Sequence, residues 1–322
     1  MIALNGTSAN TEASWSKANV AKAVLVVGAG GFIGRRLCKA LVAAGRRVIA
    51  VTRQEGIPIP DVHHVIVREP SSETFEELAR ECEGIVWLAC TSTPGSTAGR
   101  PMAELDENLA PLFALLGGLH RLPPRKLVFI STGGAIYGDV DAAMAVESSV
   151  LAPKSYYSAG KAACESFVSA WAHQSAGQAI ILRPSNVFGR GQPFRPGFGI
   201  IPTAFHAAIS GEPLTVWGDG SAVRDYLHVE DFVSLCIKCV DTPLAAGVET
   251  YNASSGEPTS LNALLTHVEA ACGKAVPRIF RASRPVDVER IVLDNARARR
   301  TFAWQPQVTL DRGLADAWAA QS

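Results

Sequence analysis

Short apolar runs alternate with segments of helical periodicity along the first two thirds of the chain. The strand-like runs lie at residues 23–30, 47–53, 63–69, 84–90, 126–132 and 179–184, with a last one near 250–255. Apolar residues recur every three or four positions between them, as in residues 72–82 and 104–120. Continuous apolar strands are typical of sheets covered on both faces. We therefore predict an α/β fold of the Rossmann type, with a doubly wound parallel sheet.

This alternation stops after residue 184. Residues 186–202 are dense in glycine and proline, as are shorter stretches around residues 217–221 and 254–258. Such segments are typical of loops that connect a second lobe to the first and close over a site. We expect a smaller C-terminal α/β lobe.

The composition excludes several classes of protein. Hydrophobic residues make up 48% of the chain and charged residues 19%, and the formal net charge is +0, so we expect a globular protein that binds no nucleic acid. No apolar run approaches the ~18 residues that a membrane span requires. The seven scattered cysteines include Cys236 and Cys239 in an apolar segment of helical spacing. We predict buried free thiols, no metal site and a cytoplasmic location.

The stretch "VVGAGGFIG" at residues 26–34 places Gly28, Gly31 and Gly34 between the first strand and the first helix. Glycine at such a turn allows the backbone to approach a pyrophosphate, which then lies at the helix N-terminus. The pattern in this context predicts a dinucleotide site.

The end of the second strand bears on the choice between NAD and NADP. Proteins that bind NAD usually carry an acidic residue there for the ribose hydroxyl, whereas this chain has Thr52 followed by Arg53. An arginine matches the charge of a 2′-phosphate. We therefore predict NAD(P) as cofactor with a preference for NADP, and NAD remains open.

The stretch "SYYSAGKAACE" at residues 155–165 carries two adjacent tyrosines. Tyr157 and Lys161 are four residues apart and share one face of a helix, whereas Tyr156 points elsewhere. A neighbouring ammonium favours the phenolate and lowers the pKa of a tyrosine. Tyr157 is therefore the candidate general acid/base.

From residue 23 to its end, the chain resembles the extended short-chain dehydrogenase/reductases, and within them the nucleotide-sugar epimerases and dehydratases. The resemblance rests on Asn108 and on the motifs "GAGGFIG", "VWLA", "FISTGGAIYG", "YSAGK", "LRPSNVFGRGQ", "WGDGSAVRDYLHVED" and "RPVDV". It implies a nucleoside-diphosphate sugar as substrate and a homodimer formed through two helices, one of which carries Tyr157.

The resemblance also implies roles for individual residues. Tyr157, Lys161 and Thr132 are the implied catalytic residues. The implied cofactor-binding residues are Gly28, Gly31, Phe32, Ile33, Gly34, Arg53, Leu88, Ala89, Cys90, Asn108, Ser131, Tyr157, Lys161 and Pro184. The implied substrate-binding residues are Thr132, Asn186, Ile200, Val216, Arg224 and Arg284.

Two departures from the family pattern affect the expected reaction. Gly133 stands where the family has its catalytic serine or threonine, so Thr132 is expected to take that role. Gly134 and Ala135 replace the Asp-Glu pair of the sugar 4,6-dehydratases, which argues against dehydration. His228, in "DYLHVED", is expected to be a core residue.

The leading hypothesis is a nucleoside-diphosphate-sugar 4-epimerase. The alternative is an NADPH-dependent reductase of a nucleotide 4-keto-6-deoxysugar, which Arg53 favours. A non-catalytic nucleotide sensor on the same fold would not need the Tyr157–Lys161 pair. We assign residues 23–184, with a returning segment of about 222–250, to NAD(P) binding. Residues 185–221 and 251–322 are assigned to nucleotide-sugar binding, and residues 1–22 to a disordered leader.

Overall fold

The computed structural model describes residues 23–56, 58–93, 95–140, 143–195, 197–284 and 287–321. The predicted leader lies outside these residues. The strands are β1 (Ala23–Val27), β2 (Val48–Thr52), β3 (His63–Ile66), β4 (Cys82–Trp87), β5 (Lys126–Ile130), β6 (Gln178–Pro184), β7 (Asn186–Phe188), β8 (Leu214–Trp217), β9 (Val223–His228), β10 (Gly247–Ala253), β11 (Pro258–Ser260) and β12 (Arg278–Arg281).

The helices are α1 (Phe32–Ala43), α2 (Ser72–Ala79), α3 (Pro101–Glu104), α4 (Ala110–Leu119), α5 (Gly133–Ile136), α6 (Tyr156–Ser175), α7 (Ile200–Ser210), α8 (Val229–Asp241), α9 (Leu261–Cys272), α10 (Ala296–Phe302) and α11 (Leu310–Ala319). A π-helical turn, Leu105–Leu109, joins α3 to α4.

Seven strands form one sheet in the order β10-β6-β5-β4-β1-β2-β3. All six pairings in this sheet are parallel, which confirms the predicted Rossmann-type fold. One face packs against α1 and α8 through residues such as Leu37 and Phe232. The other face packs against α2, α4 and α6 through residues such as Leu112 and Val168. This double cover explains why the strands read as unbroken apolar runs.

The smaller lobe has a core of its own. A three-stranded sheet, β11-β9-β7, and a two-stranded sheet, β12-β8, combine with α7, α9 and α11. Segments of the two lobes alternate along the chain. β9 lies in the three-stranded sheet, and Phe302 of α10 packs on Tyr251 of the large sheet. The two lobes therefore exchange segments several times.

Two expectations about buried side chains are confirmed. Cys236 and Cys239 are buried free thiols on one face of α8. His228 is buried, its ring packs edge-on against Phe188, and its Nδ1 accepts the backbone N–H of Glu230 at the start of α8. Its position in the core, and burial that lowers its pKa, match a structural role.

Within the described part of the chain, no helix combines the length and the apolar character that crossing a membrane requires. The same residues contain no group of three or more histidine, cysteine, aspartate or glutamate side chains placed to hold a metal ion.

Candidate active site

The site lies at the carboxyl ends of the parallel strands, where the order of the sheet reverses. From β1 the chain moves outward to β2 and β3, and then returns to place β4 on the other side of β1. The connections after these strands separate and leave a crevice, which is where open α/β sheets bind their ligands. The segments after β1, β4, β5 and β6 carry most of the predicted site residues.

The glycine-rich turn after β1 is shaped for close approach. Gly28 has a φ of +90°, and a Cβ at this position would stand 2.7 Å from the backbone nitrogen of Ala89. A Cβ on Gly34 would overlap the backbone of Gly28 and Ala29. Side chains at these two positions would separate the first helix from the strands, so the turn requires glycine. Phe32 and Ile33, also predicted cofactor contacts, begin α1 beside Gly31.

The segment after β4 holds Leu88, Ala89 and Cys90 opposite this turn. The backbone N–H of Leu88 donates to the carbonyl of Val27 at 2.8 Å, which continues the β1–β4 pairing by one residue. Cys90 is an exposed free thiol. The three residues therefore form one wall of the crevice.

Asn108 holds this wall in place from the π-helical turn. It is buried, and its side-chain oxygen accepts the backbone N–H of Thr91 at 2.9 Å. Its side-chain nitrogen donates to Ser92 and to Glu104, each at 3.0 Å. Asn108 therefore fixes the loop after β4, which also carries three other predicted cofactor contacts.

The segment after β5 supplies two hydroxyl groups. Ser131 is buried, and its Oγ has no hydrogen-bond partner among the described residues. Thr132 precedes α5, and its hydroxyl acts on the phenol of Tyr157, whose pKa it lowers. The role of Thr132 in place of a hydroxyl at Gly133 stays a prediction.

Tyr157 and Lys161 stand on successive turns of α6, as their spacing predicts. Lys161 is 6% exposed, and its ammonium donates to the carbonyl of Ile130 at 2.8 Å. Tyr156 is 45% exposed, so the two tyrosines face different environments. The helix begins with a capping box in which Ser155 and Ser158 bond to each other's backbone amides, which fixes its first turn.

Burial raises the pKa of Tyr157, and the neighbouring Cys90 acts in the same direction. The charge of Lys161 and the hydrogen bond from Thr132 lower the pKa of the phenol. The protein groups alone therefore leave the pKa of Tyr157 above its ordinary value, although Lys161 acts in the direction that the sequence predicts.

The predicted substrate residues lie on the side of the second lobe. Asn186 begins β7, with its side-chain oxygen 3.2 Å from where a Cβ on Gly134 would stand. Arg224 in β9 donates to the carbonyl of Val223 at 2.8 Å, and burial lowers its pKa. Arg284 makes two bonds to Asp287, at 2.9 and 2.6 Å.

The predicted ligand contacts differ in how much of each residue a ligand can reach. Arg284 also lies over the ring of Trp217, 4.7 Å from its centroid. Ile200 begins α7, and Pro184 ends β6. The side chain of Val216 is fully buried in the core of the second lobe, so only its backbone is available to a ligand.

A dinucleotide fits these residues. The glycines after β1 leave its backbone open to a pyrophosphate at the start of a helix of 12 residues. Ser131, at the carboxyl end of β5, adds a buried hydroxyl group. Among the residues that the structure describes, this hydroxyl has no hydrogen-bond partner. Arg53 is exposed directly after β2, the strand that usually contacts the adenosine ribose.

Comparison with known proteins gives consistent results. The profile of the NAD dependent epimerase/dehydratase family matches residues 24–254. The UDP-glucose 4-epimerase of Mycolicibacterium smegmatis is 29% identical over 305 residues, which cover 90% of this chain and 96% of the relative. The dTDP-4-dehydro-6-deoxyglucose reductase of Escherichia coli is 25% identical over 302 residues, covering 90% and 95%. The structure of the Thermus thermophilus UDP-glucose 4-epimerase in complex with NAD superimposes with a TM-score of 0.84 at 28% identity, covering 92% of this chain and 98% of the relative.

Proposed function

Because the chain belongs to the NAD-dependent epimerase/dehydratase family, we propose that it is a nucleoside-diphosphate-sugar 4-epimerase. The observation that carries the proposal is the placement of Tyr157 and Lys161 one turn apart on α6, where the charge of Lys161 and the hydroxyl of Thr132 both lower the pKa of the phenol. This set of groups transfers a proton to and from a secondary alcohol. The likeness to UDP-glucose 4-epimerases over nearly the whole chain supports the same reaction.

A nicotinamide ring bound in the crevice supplies the acceptor and the donor for the hydride of C4. Tyr157 takes the proton of the C4 hydroxyl and later returns a proton to the same oxygen. Lys161 assists by favouring the phenolate, and Thr132 holds the phenol oxygen in position. Because both directions use one phenol, the two half-reactions leave Tyr157 as it began.

Epimerisation also requires the sugar to turn over while its nucleotide stays bound. Arg224 and Arg284 are the residues that we assign to the diphosphate, with Asn186 beside them. A guanidinium offers paired N–H donors that match phosphate oxygens. The diphosphate then serves as the anchor about which the sugar rotates.

The geometry around α5 supports epimerisation over dehydration. Gly134 and Ala135 stand where dehydratases carry their acidic pair, and Gly134 lies close to the side chain of Asn186. A larger residue at Gly134 would have to displace that side chain. Water elimination therefore lacks its acidic pair there.

The 4-epimerase hypothesis predicts interconversion of a C4 pair without net reduction of cofactor. The purified protein is incubated with UDP-glucose, UDP-galactose and their N-acetyl counterparts, and the products are separated by chromatography. At least one pair should interconvert while the absorbance of reduced nicotinamide stays constant, because each cycle regenerates the cofactor.

The reductase alternative gives the opposite result in the same assay. Arg53 and the likeness to the Escherichia coli reductase favour it. A reductase would ignore the four sugars and consume NADPH one for one with a nucleotide 4-keto-6-deoxysugar. That outcome would replace the 4-epimerase proposal.

We also infer a preference for NADP from Arg53. The Arg53→Asp variant should weaken NADP(H) binding by a few kcal/mol (~2–4), because a charge-assisted contact is replaced by repulsion. NAD(H) binding should weaken less or strengthen. Equal changes in both affinities, measured by fluorescence titration, would place Arg53 outside the adenosine pocket and favour NAD.

A homodimer through α4 and α6 is the proposed assembly. Phe113 and Phe167 pair on the outer side of these helices, with ring centroids 4.4 Å apart. Phe167 is 50% exposed. The pair offers an apolar patch for a second copy of the chain.

A further inference from the structure

Glu104 is a buried carboxyl group that the proposed chemistry does not use. It ends α3 and is 5% exposed. Its side chain lies against α6 at Gly160, where an added Cβ would stand 2.7 Å from Oε1. Gly160 precedes Lys161 directly, so the absence of a side chain there gives the carboxyl group a place next to the Tyr157–Lys161 pair.

The hydrogen bonds of Glu104 run to the loop after β4. Oε1 accepts the hydroxyl of Ser92 at 3.1 Å and the side-chain N–H of Asn108 at 3.0 Å. Asn108 in turn accepts the backbone N–H of Thr91. Oε2 is buried and has no hydrogen-bond partner among the described residues. Oε1 therefore acts as a hydrogen-bond acceptor for both segments.

Few charged or titratable groups share this environment. Lys161 on its own helix, Cys90 on the loop after β4 and Glu104 on α3 face Tyr157. Lys161 is faced by Tyr157, Cys90, Glu104 and Cys164. Of the groups named for Tyr157 and for Lys161, Glu104 is the carboxyl group common to both.

The charge of Glu104 acts oppositely on the two members of the pair. Beside burial and Cys90, it raises the pKa of Tyr157 and so disfavours the phenolate. Burial lowers the pKa of Lys161, but Cys90, Tyr157, Cys164 and Glu104 outweigh it and the net shift is upward. A negative charge here adds to these effects: it favours the ammonium form of Lys161 and the protonated form of Tyr157.

We propose that Glu104 is a positioning residue of the reaction: from behind α6 it supplies the negative charge that sets the proton balance of the Tyr157–Lys161 pair, while it holds the loop after β4 through Ser92 and Asn108. The inference rests on proton transfer by Tyr157, the chemistry of the proposed function. Glu104 itself does not contact the reacting atoms in this arrangement.

The test is a titration of Tyr157 in the purified full chain with saturating oxidised nicotinamide cofactor. Tyrosinate absorbance is followed against pH, and the same curve for the Tyr157→Phe variant is subtracted to isolate this phenol. Glu104→Gln keeps the shape of the side chain and removes its charge. The Tyr157 titration should then move to lower pH by about 0.5 units or more, and the acidic limb of the kcat/KM profile should move with it.

Glu107→Gln is the matched control. Glu107 lies on the π-helical turn that follows Glu104, is exposed and also bonds to the loop after β4, through the hydroxyl of Thr91 at 2.8 Å. This variant should leave the Tyr157 titration within about 0.2 units of the wild type, because an exposed charge is screened by water. An unchanged curve for Glu104→Gln, or equal shifts in both variants, would overturn the proposal.

Glu104→Met provides a second variant if the glutamine variant does not fold, since an apolar side chain of similar volume often replaces a buried charge without loss. It takes the same titration with the same expected shift. If neither variant folds, Glu104 serves stability alone and the proposal fails. The titration requires no turnover, so a protein that titrates as expected but epimerises no sugar overturns the 4-epimerase function and leaves the role of Glu104 standing.

Discussion

At the scale of single residues, the two adjacent tyrosines provide a direct test of the site. Tyr157→Phe should lower turnover by roughly 100-fold or more, the usual effect of removing a general acid/base. Cofactor binding should change little, because the ring and its packing remain. Tyr156→Phe is the matched control: its side chain is 45% exposed and should cost less than about threefold. Equal losses in steady-state assays of both variants would contradict the assignment of Tyr157.

The sequence predicts a site residue when the residue that it interacts with lies close to it in the chain. Tyr157 and Lys161 follow from helical spacing, whereas Thr132 is implied by the family resemblance. Glu104 was missed, because "AELDEN" offers three acidic residues and the sequence does not say which one is buried. The choice is made by packing against Gly160 of a distant helix. Its signal in the sequence would have been the glycine between Tyr157 and Lys161.

At the scale of elements, α6 is held to the sheet by a buried ion pair. Arg183 of β6 bonds Glu165 of α6 with three N–H···O contacts of 2.6 to 3.3 Å. Its remaining N–H bonds reach the hydroxyl of Tyr137 and the carbonyl of Glu147. The pair fixes the helix that presents Tyr157, because both side chains are only 7% exposed and neither can reorient into water.

Glu165→Gln should therefore lower the free energy of unfolding by about 3–5 kcal/mol, since it leaves the Arg183 charge buried without a counter-charge. Replacing both residues by methionine should recover most of this loss. Glu249→Gln is the control: its ion pair with Arg297 is 40% exposed or more, so the cost should stay within about 1 kcal/mol. Urea denaturation measures all three. A double variant no more stable than the single one would show that the network is needed as a whole.

The predicted strands of the large sheet are all confirmed, and most of them carry a continuous apolar run, whereas β3 and β10 include polar residues. The predicted helix at residues 104–120 is instead α3, a π-helical turn and α4. Pro111 lacks the N–H that would continue the regular ladder, and the π-helical turn precedes it. The sheets of the second lobe were not predicted strand by strand. β7 and β11 are three residues each, too short to show a period.

At the scale of the whole molecule, the lobes are joined by exchanged segments rather than by one hinge. β10 completes the large sheet after the chain has already formed part of the second lobe, and α10 returns to pack on β10. Asp225 of β9 accepts the backbone N–H groups of Ser255 and Gly256 just after β10, both at 2.9 Å. The segments that border the crevice between the lobes are therefore anchored by contacts to both lobes.

The proposed dimer is the property of the whole molecule that is most directly testable. Phe167→Asp should convert the protein to a monomer and raise the dissociation constant of the dimer by roughly 100-fold or more. A carboxylate placed in an apolar interface loses its hydration without gaining a partner, which costs several kcal/mol (~3 or more). Light scattering coupled to gel filtration gives the mass of each species.

Ile209→Asp is the control, because Ile209 is 51% exposed on α7, away from the α4–α6 face. This variant should remain dimeric. A wild-type protein that is monomeric at micromolar concentration, or a dimer that Phe167→Asp leaves intact, would exclude this surface as the interface.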